Sequence, residues 1–265
     1  MEFKKIITED LEKIKELSPE GWVDICPIIE NYIKYKFCHS IKLIENNELL
    51  GIGTAIFYEN TSWIAHLIVP EKHRNKGYGS KILNYLCEYC FNNGFKSILL
   101  FATEMGYPLY KKYGFKIQTE YLQYEKTHDF EYNYDKNIRN ISVNDYSKIF
   151  ELDYIATGEN RQKLLTKYLD NGFVYLVNEN IIGFYLLNLG EGLIIAMNEV
   201  AGLELMKLRI SNKKQSTVPV KNNIANEYFR ENNFKELKKI KRMIYGNGII
   251  LKDENIYNRI GGNFG

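Results

Sequence analysis

The chain has 265 residues, enough for two ordinary domains and too many for one small core. Its 35 basic and 33 acidic residues leave a formal charge of +2, which provides no electrostatic footprint for nucleic acid or an anionic membrane. Four Cys, at positions 26, 38, 87 and 90, no signal peptide and no apolar run of transmembrane length predict a reduced, cytoplasmic protein rather than a disulfide scaffold.

In chain order, residues 1–7 read as a short strand. Thr8, Asp10 and Leu11 open a helix running to Leu17, and residues 18–21 form a turn. Residues 22–37 carry apolar side chains at helical spacing, interrupted by Pro27. Residues 40–44 and 50–58 flank a polar turn as a β-hairpin, and Gly51 and Gly53 inside it predict close packing. Residues 63–69 are a buried strand. Ile82, Leu83, Leu86, Cys87, Cys90 and Phe91 then form the apolar stripe of a helix, so Cys87 and Cys90 are core residues and no metal site is expected.

Between that strand and that helix lies a basic glycine loop. Gly77 and Gly79 remove Cβ atoms, so a ligand can approach the main chain. The first amides of the helix have no internal partner, and the dipole there favours an anion. Arg74, Lys76 and His73 add cationic or polar reach, which makes the loop a pyrophosphate cradle. A P-loop needs Gly-Lys-Ser/Thr at the helix start, and here the order is Gly79, Ser80, Lys81. A dinucleotide fingerprint needs a third glycine where Ile82 stands.

The pattern Arg-x-x-Gly-x-Gly, here Arg74, Gly77 and Gly79, resembles the acetyl-coenzyme A loop of the GCN5-related N-acetyltransferases. The next strand, 97–102, and the sequence Leu109, Tyr110, Gly114, Phe115 continue that resemblance over about residues 1–125. It implies that Leu67 and Val69 offer main-chain amides to the pantetheine and acetyl carbonyl. The same resemblance implies that Arg74, Asn75, Lys76, Gly77, Tyr78, Gly79 and Ser80 hold the diphosphate. Tyr110 matches the family tyrosine that protonates the departing thiolate. The family's usual carboxylate base falls near Trp63, which cannot accept a proton; Glu104 is the first substitute and His66 the second. Trp22, Tyr32 and Trp63 are expected in the acceptor pocket.

Residues 116–125 alternate as a final strand, and residues 126–140 read as a polar connection. The second half looks like a worn copy of the first. Residues 173–184 echo 41–52, and 226–234 echo 107–115. The cradle is missing there, because Glu199 lies where phosphate would sit. Asp153, Gly158, Arg161 and Arg242 fit this second copy, while the lysine-rich runs at 213–214 and 238–242 read as solvated faces.

The expectation is an α/β chain of two tandem acetyltransferase-like domains, each a mixed, mostly antiparallel sheet flanked by helices. Residues 1–130 are catalytic and 131–265 are degenerate. The expected activity is acetyl transfer from acetyl-coenzyme A to the amine of a small molecule or amino-acid-like acceptor. A peptide acceptor and a non-catalytic acyl-coenzyme A sensor are the alternatives. No nucleic acid or membrane partner is expected, and the chain is expected to be a monomer or homodimer.

Overall fold

The computed structural model describes residues 1–17, 24–133 and 135–265. The first half runs β1 (Glu2–Lys5), α1 (Leu11–Lys15), α2 (Cys26–Lys34), β2 (Cys38–Glu45), β3 (Glu48–Phe57), β4 (Ser62–Ile68), α3 (Tyr78–Asn92), β5 (Ser97–Ala102), α4 (Tyr107–Tyr113) and β6 (Lys116–Glu125). Pro27 does not interrupt α2 but sits in its first turn, where a missing N–H removes no helical bond. The turn expected at 18–21, and Trp22, lie outside the described residues.

The second half runs β7 (Ile138–Asn140), α5 (Tyr146–Thr157), α6 (Gln162–Leu165), β8 (Gly172–Val177), β9 (Asn180–Leu186), β10 (Leu193–Ala196), α7 (Glu199–Asn212), β11 (Gln215–Pro219), α8 (Asn223–Glu231), β12 (Lys235–Gly246) and β13 (Ile256–Asn258). The connection expected at 126–140 ends in a strand, because β7 pairs antiparallel with β8 at the sheet edge. Of its three residues only Ile138 is buried, so no alternation announces it.

β1 to β4 form an antiparallel run, and α3 leads to β5, which is parallel to β4. A Cβ on Gly51 or on Gly53 would lie 2.8 Å from the Ile82 side chain, so these glycines let α3 press onto β3. One face of the sheet packs under α3, through Ile64, Ile82, Leu86, Ile98 and Leu100. The other face, with Trp63, Ala65, Leu99 and Tyr121, packs against α5 and the C-terminal residues of the second half. This assignment to opposite faces follows the two-residue period of β4.

The strand order of the first sheet is β1-β2-β3-β4-β5-β12-β6-β11. β12 is antiparallel to both neighbours, with Arg242 opposite Phe101 on one side and Thr119 on the other. β6 in turn lies between β12 and β11. The charged run at 238–242 is therefore not a uniformly solvated face. Lys238 and Lys239 are exposed, but Arg242 and Met243 are buried, because the strand turns into the centre of the sheet. The second sheet has the order β13-β10-β9-β8-β7, with α7 and α8 on one face. The first sheet is mixed and mostly antiparallel, every pairing in the second is antiparallel, and the two sheets with their flanking helices keep to the expected α/β class.

Residues 1–130 expressed alone lack the strand between β5 and β6. That fragment is expected to show no cooperative melt by circular dichroism. A sharp transition near that of the full chain would refute this dependence.

Candidate functional site

After β4 the chain makes a 3₁₀ turn, Glu71–His73, and enters α3 through Asn75 at φ 63° and Gly77 at φ 81°. Nothing lies within 4 Å of a Cβ built on Gly77, so the turn is open on its outer side. Lys81 is the first residue whose amide bonds back, to the Gly77 carbonyl at 3.1 Å. The amides of Tyr78, Gly79 and Ser80 are left without helical partners at the positive end of a 15-residue helix. Lys76 and Ser80 are exposed beside them. Arg74 is half-buried, its Nε 3.4 Å from the Val69 carbonyl. His73 anchors the loop through Nε2, 3.0 Å from Glu48 on the β2–β3 turn.

β4 carries a bulge. Thr54 pairs with Ala65 and Ile52 with Ile68, so His66 and Leu67 together face Gly53. His66 takes φ 46°, a left-handed value that costs a residue with a side chain about 1–2 kcal/mol. On its other edge β4 pairs with β5 only at Ser62↔Ile98 and Trp63↔Leu99. Beyond Trp63 the two strands part. Gly79 faces this gap: its Cβ position lies 3.7 Å from Leu67, 3.8 Å from Val69 and 3.4 Å from Leu109 of α4. The structure thus brings Leu67, Val69, the loop and α4 to one place. A glycine turn open to its outer side, bare helix amides and a parted strand fit a diphosphate on an extended arm.

Tyr110, on α4, is buried beside Phe115, with ring centroids 5.9 Å apart. Burial, with Cys87 nearby, pushes its phenol up to about 12. Glu104 is exposed in the β5–α4 turn. Cys87 and Cys90 are fully buried, and burial pushes their thiols up to about 12 and about 11.

The opposite face of β4 meets residues from the far end of the chain. Tyr32 of α2 is buried, its hydroxyl 3.0 Å from His66 Nδ1. Asn263 Nδ2 donates to the same hydroxyl at 3.0 Å, and the Phe264 ring meets Tyr32 edge-on at 5.6 Å. The Tyr58 hydroxyl donates to the Phe264 carbonyl at 2.8 Å. Trp63 is completely buried, so it is covered rather than lining an open pocket. Its Nε1 donates to Glu159 at 2.6 Å, and the Arg242 guanidinium lies 5.1 Å from its ring. Glu159 also accepts from Thr61 at 2.9 Å and from Arg242 at 2.6 Å. A carboxylate does stand at Trp63, then, but it comes from residue 159. Glu159, Asn263 and Phe264 had no motif to mark them, and Arg242 was marked only through the resemblance of the second copy. The only signal was an acidic and basic cluster around Gly158 in an otherwise apolar stretch.

In the second half β10 and β11 do not pair with each other, and β13 lies between them. Ile194 pairs with Asn258, the Thr217 amide donates to Asn258 Oδ1 at 2.8 Å, and the Arg259 amide donates to the Thr217 carbonyl at 3.1 Å. A Cβ on Gly202 of α7 would lie 2.1 Å from the Tyr257 ring, so β13 lies directly against that helix. The Phe115 amide bonds to the Tyr110 carbonyl, and the Phe234 amide to that of Phe229, which places Phe229 where the first half has Tyr110.

Burial pulls His66 down to about 4. Between pH 6.5 and 4 the unfolded chain holds a proton that the folded chain excludes, so this residue lowers stability as pH falls through that window. His66→Gln is expected to lose about 2 kcal/mol less than the parent chain between pH 7 and pH 5. Urea midpoints at the two pH values check this, and parallel losses would refute it.

Profiles of known families and solved structures agree with this geometry. The profile described as the acetyltransferase (GNAT) family matches residues 6–115, and one described as an acetyltransferase (GNAT) domain matches residues 149–258. Among curated proteins the chain is similar to an uncharacterized N-acetyltransferase, YobR, of Bacillus subtilis (strain 168). The identity is 28% over 83 residues, covering 30% of this chain and 34% of that protein, so the match spans about a third of that relative's length. A Pyrococcus horikoshii protein described as a candidate acetyltransferase superposes with a TM-score of 0.80 at 19% identity, over 97% of this chain and 92% of its own. A GCN5-related N-acetyltransferase from Sphaerobacter thermophilus superposes at 0.65 with 10% identity, over 94% and 97%. At these identities the structural likeness speaks for the fold alone. With two such profiles in succession over most of its length, the chain belongs to the GNAT acetyltransferase family, as a tandem of two such domains.

Proposed function

We propose that residues 1–130 bind acetyl-coenzyme A and transfer its acetyl group directly to the amine of a small-molecule or amino-acid-like acceptor. Residues 131–265 form a degenerate domain that shapes the acceptor side. The observation that carries this reading is the meeting of the open Gly77–Ser80 amides with the gap between β4 and β5. Acetyl-coenzyme A, when bound, supplies an acetyl group activated as a thioester. The amides of Tyr78, Gly79 and Ser80, with Arg74, Asn75 and Lys76, hold its diphosphate. The free edge of β4 at Leu67 and Val69 holds the pantetheine arm and polarises the carbonyl.

Tyr110 serves the departing sulfur. With a pKa near 12 it stays protonated at neutral pH, and complete transfer to a thiolate of ordinary pKa near 8.5 is uphill. Its role is that of a hydrogen-bond donor to developing negative charge. The buried, protonated thiols of Cys87 and Cys90 support direct transfer over a covalent enzyme intermediate. Glu104 and His66 are the groups proposed for the amine's proton. With a pKa near 4, His66 is too weak a base to hold that proton at pH 7, so it passes the proton to water or meets an amine already neutral.

A filled slot at β13 and Phe229 in place of Tyr110 support a second domain without its own cofactor. Complete burial of Trp63 under Glu159 and Arg242 favours the second reading, a sensor that binds acyl-coenzyme A without transfer.

Calorimetry with acetyl-coenzyme A and thiol release on an amine panel separate these readings. Heat with amine-dependent release is expected; heat without release on any amine selects the sensor, and no heat ends both. Gly79→Val is expected to weaken acetyl-coenzyme A binding at least about 10-fold, by placing branched carbons between Leu67, Val69 and the arm. Tyr110→Phe is expected to lower kcat roughly 100-fold with the KM for acetyl-coenzyme A unchanged. An unchanged kcat would remove Tyr110 from the chemistry.

A further inference from the structure

On the proposed acceptor face, where the Trp63 and Phe101 rings meet with centroids 5.6 Å apart, two guanidinium groups lie over the aromatic rings. Arg242 lies 5.1 Å from the Trp63 ring and Arg259 lies 4.7 Å from the Phe101 ring. Between them is a cavity of about 10 Å³, lined by Tyr121, Glu159, Arg161, Arg242, Arg259 and Gly265, among others. That is room for about one water molecule. Arg242 is 2% exposed and Arg259 is 7% exposed, yet Arg242 Nε and Nη1 and Arg259 Nη1 have no acceptor. Leaving a buried charged donor unbonded costs more than about 1–3 kcal/mol, so three together mark a missing acceptor.

The charged side chains around this cavity are largely paired. Arg161 is matched by Asp153, Arg242 by Glu159 and Arg259 by the half-buried Glu191. Asp253 accepts from Thr119 and is faced by the exposed Lys221. Buried Arg209 donates to the Glu191 carbonyl and to Ser216, and has no carboxylate of its own. These four guanidinium groups stand with four carboxylates, so the cluster is balanced in charge, and what it lacks is an acceptor for the spare N–H groups of Arg242 and Arg259.

We propose that this cavity receives the carboxylate of the acceptor, so that the preferred acceptor is an amine carrying a carboxylate group, as in an amino acid. Arg242 and Arg259 are its specificity-determining residues. The carboxylate docks on their spare N–H groups, and the amine is then directed back along Trp63 toward the parted strands. Gly265 lines the cavity and lies against the Trp63 ring, where its Cβ position would be 2.7 Å from the ring, so the acceptor enters by displacing the 261–265 turn. That turn is held to the first half through Tyr58 to the Phe264 carbonyl and through Asn263 to Tyr32. This inference names the substrate class of the activity proposed above and rests on that reading.

The test uses the full chain with matched acceptors: an amino acid, its amide, and the amine left when the carboxylate is removed. The amino acid is expected to have a kcat/KM roughly 10- to 100-fold above the other two. Arg259→Gln is expected to raise the KM for the amino acid and bring the ratio toward one, without changing the KM for acetyl-coenzyme A. Arg259→Lys, which keeps the charge but not the forked donor, is expected to recover part of the preference. Melting curves show whether each variant is folded, and Glu191 can turn to solvent when Arg259 is replaced. Equal kcat/KM across the matched set overturns the inference while leaving the transferase reading intact. If no amine is turned over, that reading fails instead. Calorimetry in the presence of coenzyme A then still decides the site: heat for the amino acid but not for its decarboxylated analogue supports a carboxylate site, and no difference overturns it.

Discussion

Two parallel strands that pair at two positions and then separate set the terms for this molecule. Once β4 leaves β5 after Trp63, the main chain of β4 has polar groups on that edge with no strand to receive them. Such an edge has to be met by water, by a ligand or by another piece of chain. The bulge at His66 turns β4 further from regular pairing and holds a left-handed residue at the same place. In the first half the gap faces the unpartnered amides of α3. In the second half β13 enters the matching gap and bonds to both sides. One edge is left open in the first half, and in the second half the corresponding space is closed by the chain's own strand.

The second consequence runs through the sheet. β12 lies between β5 and β6, and β6 lies between β12 and β11, so the second half supplies two strands to the sheet that the first half began, while the other sheet is built from second-half strands. This arrangement, rather than an apolar patch alone, fixes the relative position of the halves. It also delivers Arg242 to Trp63. A strand inserted in a sheet has its side chains set by register, and Arg242 stands opposite Phe101 and Thr119. The carboxylate partner, Glu159, arrives from the turn after α5.

The features legible in the sequence were those with short-range causes. A strand, a glycine turn and an apolar helical stripe lie in consecutive residues, and their physics is local, so the strand–turn–helix unit around 74–80 could be read directly. Gly51 and Gly53 could be read as packing sites for the same reason. The second half was legible as a worn repeat because hairpin and helix patterns survive the loss of a site. What could not be read was long-range. β12 carries five lysines and arginines between 235 and 242, and nothing local distinguishes a solvated ribbon from a strand whose last third is buried in another sheet. The turn at 261–265 has three glycines and no periodicity, and its position against Tyr32 and Trp63 depends on where β13 ends. Trp63 looked like a pocket wall because its cover lies almost a hundred residues away.

Stability alone does not account for the chemistry at that cover. Arg242, Glu159, Arg161 and Asp153 are all almost completely buried. Two buried ion pairs carry desolvation penalties of several kcal/mol per ion, and well-packed apolar residues in their place are often as stable or more so. The Trp63 ring, with a carboxylate on its N–H and a guanidinium near its face, is likewise an expensive way to fill a core. Three N–H groups left without acceptors add to that cost rather than relieve it. These charges therefore weigh against reading the second half as simple packing. In it β13 lies between β10 and β11, and Phe229 stands where the first half has Tyr110. What it holds against the far face of β4 is a set of buried ion pairs, Arg161 with Asp153 and Arg242 with Glu159.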